Sequence, residues 1–216
     1  MQARERIVRR AAREVRAGMT VNLGIGLPTG IAAYLEAGMN VCLHSENGVA
    51  GVGPAVATER ADRNLIDAGG AYVSTLPGAS FFDSAVSFAL VRGGRLDLAL
   101  LGAMQVSASG DLANWIIPGK FTPGVGGGME LAQKSRRVVA LMTHCDKGGR
   151  PKILQECTLP LTAPRCVDRV ITDMAVIDIR GGTMLLREIA EGVSVQEVVD
   201  ATDAPLTIDA DAISTF

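Results

Sequence analysis

Asn40-Val41-Cys42-Leu43-His44-Ser45-Glu46-Asn47-Gly48 is the stretch from which this chain is best read. Asn40–Leu43 has the character of a short buried strand, and a polar, acidic turn stands where the aliphatic run stops. Beyond it, Gly48-Val49-Ala50-Gly51-Val52-Gly53-Pro54 is too rich in glycine to continue the strand. Open α/β sheets place their chemistry at such a point, where a carboxylate ends a buried strand beside a loop whose backbone can approach a ligand. Glu46 is therefore a nucleophile, a ribose ligand or only a surface charge.

Outward from this turn, strands and helices alternate. Residues 1–18 read as an amphipathic helix, with Ile7, Ala11, Val15 and Met19 at four-residue intervals on one face. Its arginines (Arg4, Arg6, Arg9, Arg10, Arg13, Arg16) superficially match an organellar presequence, but Glu5 and Glu14 interrupt them and a strand follows without a spacer. Thr20–Gly26 is the first strand. Pro28 suits the first position of a helix over 28–37, because it has no N–H to leave unsatisfied. A second strand covers 40–45, and Thr58–Asn64 is a charged, solvated run. A strand near 71–76 leads to Ser80-Phe81-Phe82-Asp83, a capping box for a helix reaching Arg92.

Asp97–Ala103 is a further buried strand, and turn-rich Ser107–Gly128 forms an extended functional loop. A helix over 129–136 and a strand over 137–143 come next. Cys157–Pro164 is irregular around Pro160 and Pro164. Strands near 169–179 and 183–188 precede a helix capped by Ser194-Val195-Gln196-Glu197. With neither repeat nor linker, residues 1–216 make a single α/β domain, a mostly parallel open sheet with helices on both faces.

Composition sets the bounds. Of the 216 residues 48% are hydrophobic but only 4% aromatic, so Ala, Val, Leu and Ile build the core, and 25 Gly suit layered α/β packing with tight loops. A mean hydropathy of +0.26 leaves apolar surface for another subunit to cover. A net charge of −2 supplies no basic field, which argues against general nucleic-acid binding. No apolar run approaches the roughly 18 residues of a membrane span. Cys42, Cys145, Cys157 and Cys166 lack C-x-x-C spacing, so reduced thiols in a cytoplasmic protein are expected.

Two glycine-rich turns could carry chemistry. Gly24-Ile25-Gly26-Leu27-Pro28-Thr29-Gly30 follows a strand, and Glu46 lies about 20 residues on, close to the dinucleotide fingerprint. The third glycine falls one place late, however, and Pro28 sits where N–H groups should meet a pyrophosphate. A plain strand–helix turn is the alternative. Gly124–Gly128 has four glycines in five positions before a helix, a backbone able to cradle an anion or oxyanion. The alternative there is a flexible connector. His44 and Ser45 are adjacent and point to opposite faces of a strand, so they make no catalytic pair. His144-Cys145-Asp146 lacks the further ligands a metal needs, and no metal site is expected. Trp115, Phe81 and Phe82 read as packing residues.

Read together, several segments resemble the B-type chain of the class I 3-oxoacid CoA-transferases. They are Val21–Pro28, Ser45-Glu46-Asn47-Gly48, Leu76–Ser80, Gly102–Val106, Gly110–Lys120, Cys157–Thr162 and Arg169–Asp173. The likeness covers roughly residues 1–205. It implies the α/β fold shared with sugar-phosphate isomerases, an A-type partner in a heterotetramer, and a covalent glutamyl–CoA thioester. Glu46 matches the nucleophilic glutamate. By the same resemblance Gly127, with Gly128, helps form the oxyanion hole, Asn22 lies near the thioester, and Asn47 helps orient Glu46. Coenzyme A is then a substrate, and no cofactor is implied.

The sequence departs from the family at three places. Leu65–Gly70 lacks the Asn and Lys common there, so no active-site lysine is assigned. Gly128 and Glu130 stand where Ala and Asp are common, and Thr143 replaces a frequent Glu. The expected reaction is CoA transfer between succinyl-CoA and acetoacetate, with acetate, butyrate or 3-oxoadipate enzymes as near alternatives. Two rivals from other classes are a nucleotide-binding oxidoreductase fragment and a non-catalytic ligand-sensing domain.

Overall fold

The computed structural model describes residues 2–36, 38–119 and 124–216. Lys120 of the Gly110–Lys120 motif, residues 121–123 of the expected loop and Ala37 of the expected helix lie outside them. In chain order the elements begin with α1 (Ala3–Ala12), β1 (Thr20–Leu23), β2 (Cys42–Ser45), β3 (Val49–Ala55), β4 (Val73–Phe81) and α2 (Ser84–Arg92). Next come β5 (Leu98–Gly102), β6 (Gln105–Ser107), β7 (Leu112–Ala113), α3 (Gly128–Lys134), β8 (Val138–Leu141) and β9 (Ile153–Leu154). The chain ends with β10 (Arg169–Ile171), β11 (Ala175–Arg180), β12 (Thr183–Ile189), α4 (Val195–Asp200), β13 (Leu206–Thr207) and β14 (Ser214–Thr215).

Strands β2-β1-β5-β8-β10 run parallel and form the centre of the main sheet. Antiparallel strands extend it on both sides, β3 and β4 beyond β2, and β11 and β12 beyond β10. The layers follow from the pleat. Leu98, Leu100, Val139 and Leu141 point to one face and join Ile7, Val8 and Ala11 of α1. Ala99, Leu101, Val138 and Ala140 point to the other and join Val91 of α2, Leu131 and Ala132 of α3 and Val198 of α4. Both faces of β5 and β8 are thus buried under helices, each large side chain contributing about 1.5–3 kcal/mol.

Four elements differ from the sequence reading. Helix α1 stops at Ala12, where the N–H groups of Arg13, Glu14 and Val15 turn to the carbonyls three residues back. Glu14 is there drawn to Arg10, Arg137 and Arg169. Pro28–Tyr34 is a 3-10 segment rather than an α-helix, with Gly30 in its first turn weakening helical propensity. The glycine-rich stretch after Gly48 does form a strand, β3. A Cβ on Gly51 would lie 3.0 Å from the Ala79 Cα and one on Gly53 2.6 Å from the Ser74 Oγ, so these glycines permit close approach of β4. The cap of α2 is Asp83, which accepts from the Val86 N–H at 2.8 Å, while Ser80 belongs to β4. The capping box at Ser194 and Glu197 forms as expected.

Candidate active site

Glu46 sits in the three-residue turn joining β2 to β3, at the carboxyl edge of the parallel centre. The turn needs glycine at its last position. Gly48 has φ +121°, and a Cβ there would lie 2.0 Å from the Phe82 carbonyl oxygen. β1 lies beside β2 with Asn22 opposite His44, so Asn22, His44 and Glu46 share one face of the sheet. Fully buried Asn22 donates from Nδ2 to the His44 carbonyl at 3.1 Å and to Glu46 Oε2 at 2.9 Å. Its Oδ1 is buried and has no partner among the described residues.

Gly127 lies against the stem of the Glu46 side chain. A Cβ on it would meet Phe88 ring carbons at 2.7 and 2.9 Å and the Glu46 Cγ at 3.4 Å. Its φ of −79° suits any residue, so space rather than conformation requires glycine. Gly128 is less constrained: a Cβ there would lie 3.6 Å from Thr162 Cγ2, an ordinary contact, and its N–H already reaches the Val125 carbonyl at 3.3 Å. The backbone of 124–128 and the Glu46 carboxylate open into one cleft of about 710 Å³. The cleft runs along the carboxyl ends of β1, β5 and β8, past Gly24, Gly102, Met104, Trp115 and Lys152.

The structure does not place Asn47 on the Glu46 carboxylate. Asn47 is exposed and donates to the Ile66 carbonyl at 2.8 Å, and Ser45 Oγ accepts from the Ala68 N–H at 2.8 Å. The two side chains tie the 65–70 loop to the hairpin, so Asn47 bears on the orientation of Glu46 through the turn and not by a bond to its carboxylate. Its side chain leaves the face that Glu46 shares with Asn22. His44 packs inward, with Nε2 at 3.0 Å from Ser87 Oγ and its ring stacked on Phe82. Burial holds the His44 pKa below the ordinary imidazole value, with the charge of Glu46 opposing. The dinucleotide arrangement is not built either. Gly24 continues β1 by donating to the Leu100 carbonyl at 2.8 Å, and no α-helix follows whose N-terminus could face a pyrophosphate.

Sequence reasoning misses the support beneath this wall. Asn114 donates from Nδ2 to the Gly102 carbonyl at 3.0 Å and accepts from Thr162 Oγ1 at 2.6 Å. Asp111 accepts from Ser107, Ser109 and the Arg165 N–H, and these bonds outweigh burial in holding its pKa below the carboxylate range. The Gly-Asp-Leu-Ala-Asn-Trp spelling is the available signal, but nothing in it names Thr162 as the partner. Trp115 lines the cleft and donates to the Leu161 carbonyl at 3.2 Å. The four cysteines are free, and burial pushes Cys157 up to about 11 and Cys166 to about 12, values of unreactive thiols. His144 is fixed by Thr172 and Thr202. Among the described residues no three His, Cys, Asp or Glu side chains group as metal ligands, and no helix is long and apolar enough to cross a membrane.

Known proteins share this arrangement of elements. A family model described as coenzyme A transferase matches residues 4–201. The chain is 49% identical over 211 residues to the beta chain of the acetate CoA-transferase of Escherichia coli (strain K12), covering 98% of this chain and 96% of the other. It is 48% identical over 205 residues to the B-type chain of the succinyl-CoA:3-ketoacid coenzyme A transferase of Helicobacter pylori (strain ATCC 700392 / 26695), covering 95% and 99%. Among solved structures it is similar to a thioester complex with CoA of the acyl-CoA transferase YdiF from Escherichia coli O157:H7, at a TM-score of 0.75 and 25% identity. That match covers 99% of this chain and 43% of the larger one.

Proposed function

Since this chain belongs to the coenzyme A transferase family, we propose that it transfers CoA from succinyl-CoA to a 3-oxoacid, acetoacetate, through a glutamyl–CoA thioester on Glu46. In this reading it is the B-type chain of a cytoplasmic heterotetramer with an A-type partner. One observation carries the proposal: the Glu46 carboxylate stands in the cleft between the Asn22 amide and the side-chain-free backbone of Gly127.

The proposed chemistry makes use of that placement. A Glu46 carboxylate oxygen attacks the thioester carbonyl of the donor, and the C–S bond breaks to give a mixed anhydride and the CoA thiolate. The thiolate then attacks the glutamyl carbonyl, releasing succinate and leaving CoA on Glu46 as a thioester. Acetoacetate reverses the two steps and leaves as acetoacetyl-CoA. A carboxylate is a weak nucleophile towards a thioester, so positioning and oxyanion stabilisation supply most of the acceleration. Asn22 orients the carboxylate, and the Gly127 N–H serves the oxyanion, while the Gly128 N–H joins only by leaving the Val125 carbonyl. CoA enters as a substrate, and no step draws on a further cofactor.

The test is to trap the intermediate. The assembled enzyme, incubated with succinyl-CoA and no acceptor, should carry CoA on the peptide containing Glu46. Borohydride or hydroxylamine should then inactivate it only after donor treatment, and initial rates should be ping-pong. An adduct on Cys42 instead, or none while exchange proceeds, would overturn the mechanism. The E. coli relative's name keeps acetate as a second candidate acid.

A further inference from the structure

Lys152 stands in the wall of the Glu46 cleft without a counter-ion. Its Nζ reaches only the Thr143 hydroxyl, at 3.4 Å, and it takes part in none of the ion pairs among the described residues. The acids near it make other hydrogen bonds and no ion-pair contact with Nζ. Asp173 accepts from the His144 N–H at 2.8 Å, and Asp146 accepts from Gly148, Arg150 and the Arg150 guanidinium. Burial holds the Lys152 pKa below the ordinary lysine value, while Asp173, Asp146 and Cys145 oppose the shift.

A half-buried ammonium whose neighbouring carboxylates act on it without an ion-pair contact has lost water for only partial compensation. Arg4 also lines the cleft, but it is exposed and keeps its hydration. The substrates of the proposed reaction are acids and their thioesters, so a substrate carboxylate is a suitable partner for the Lys152 ammonium.

We propose that Lys152 binds a second carboxylate on the acyl group, remote from the reacting carbonyl, so that the cleft selects dicarboxylic over monocarboxylic acyl donors. The proposal rests on the CoA-transfer reading given above. The fold supplies a suitable spacing. Glu46 follows β2, and Thr143 follows β8, three strands along in the order β2-β1-β5-β8. Lys152 is held beside that exit by its N–H bond to the His144 carbonyl at 3.1 Å. Strand exits three apart are separated by roughly 14 Å. Glu46 and Lys152 both line the cleft, and strand exits at that spacing leave room for a short acyl chain between the two side chains. Thr143 is neutral, so it leaves the ammonium available to the substrate.

The test compares donors on the assembled enzyme. Lys152→Met keeps most of the apolar stem and removes the charge. It should raise KM for succinyl-CoA by roughly ten- to a hundredfold, the effect expected for a lost charge-assisted hydrogen bond. KM for acetyl-CoA should stay within about twofold, and acetyl-CoA should still form the Glu46 adduct, showing an intact site. Thr143→Glu should give the same selective loss by pairing the ammonium, and Lys152→Arg should retain much of the preference for succinyl-CoA. Equal effects on both donors, no effect on either, or a wild-type enzyme that does not favour succinyl-CoA would overturn the subsite. Failure of the wild-type enzyme to form an adduct with any acyl-CoA would instead overturn the underlying CoA-transfer reading, and the subsite with it.

Discussion

Gly127→Ala separates a positional requirement at the candidate oxyanion loop from a conformational one. The backbone at Gly127 (φ −79°, ψ 1°) accepts alanine, so in open space the change would stabilise the fold by about 0.4–1 kcal/mol through the unfolded state. The space is not open, because the new methyl would lie 2.7 Å from Phe88 Cζ, 2.9 Å from Cε1 and 3.4 Å from Glu46 Cγ. Relieving the ring contact to ordinary van der Waals distance needs a displacement of roughly 0.7–1 Å, shared between the 124–128 backbone and α2. Overpacking of this kind costs about 1–3 kcal/mol. A misplacement near 1 Å between Glu46 and the proposed oxyanion donors can reduce turnover about a hundredfold. The assay is acyl exchange with the A-type partner present, beside urea unfolding. Phe88→Leu removes the offending ring atoms, so the Gly127→Ala/Phe88→Leu double variant should recover at least tenfold in rate over Gly127→Ala, a coupling expected of touching residues. Gly128→Ala, whose methyl meets nothing closer than 3.6 Å, should stay within about threefold of wild type. Gly127→Ala with unchanged turnover, or a double variant no better than the single one, would refute the reasoning.

Glu46→Ala should abolish exchange, and Glu46→Asp, which withdraws the carboxylate by one methylene, should lower turnover about a hundredfold in steady-state assays. Asn22→Ala removes the 2.9 Å bond to Glu46 and should lower kcat by roughly ten- to a hundredfold while the Glu46 adduct still forms slowly. Glu14→Gln leaves Arg10, Arg137 and Arg169 short of a buried carboxylate and should lower the unfolding free energy by about 3–5 kcal/mol in urea titration. Burial lowers the His144 pKa to about 4, so between there and its unfolded value near 6.5 the unfolded chain binds the extra proton and stability falls as pH falls. His144→Asn should flatten that part of the stability–pH curve; an unchanged slope in urea titrations from about pH 4.5 to 7 would count against the assignment.

Legibility in the sequence tracks the range of the interactions involved. The alternation in β5 and β8 is local, and it suffices to place helices on both faces. The Ser194 capping box spans four residues and is read directly. The cap of α2 lies three residues beyond its expected place because Ser80 and Asp83 are equally good capping types, and only the pairing of Ala50 with Ser80 commits the serine to β4. Strand β3 escapes a local reading because glycine there signals a turn, whereas its reason is contact with Ala79 and Ser74 some 20–30 residues away. In the candidate site, the end-of-strand position of Glu46 and the glycine run at 124–128 are visible locally. The bond from Asn22 depends on the β1–β2 register, the Asn114–Thr162 pair on residues 48 apart, and the isolation of Lys152 on where Asp146 and Asp173 spend their bonds.

These dependencies also separate stability from chemistry along the sheet. Glu14, Arg137 and Arg169 join where β8 and β10 begin, while Glu46, Gly24, Gly102 and Lys152 gather where the central strands end. The ion cluster is largely buried and joins α1 to the sheet, so its loss should loosen the fold as a whole. The cleft instead carries the features that a search for stability alone would not select: an unpaired ammonium, an orphaned Asn22 oxygen and a carboxylate held by a single amide. Local inconsistency of this kind, in a chain whose strands and caps otherwise agree with their environment, marks the cleft as the candidate functional site. It follows that Glu14→Gln should lower the unfolding free energy while leaving kcat at about 25 °C close to wild type, whereas Asn22→Ala should lower kcat at least tenfold for a smaller loss of stability, about 1–3 kcal/mol from the buried bond to the His44 carbonyl. Parallel losses of stability and rate in both variants would show that the two ends of the sheet are coupled.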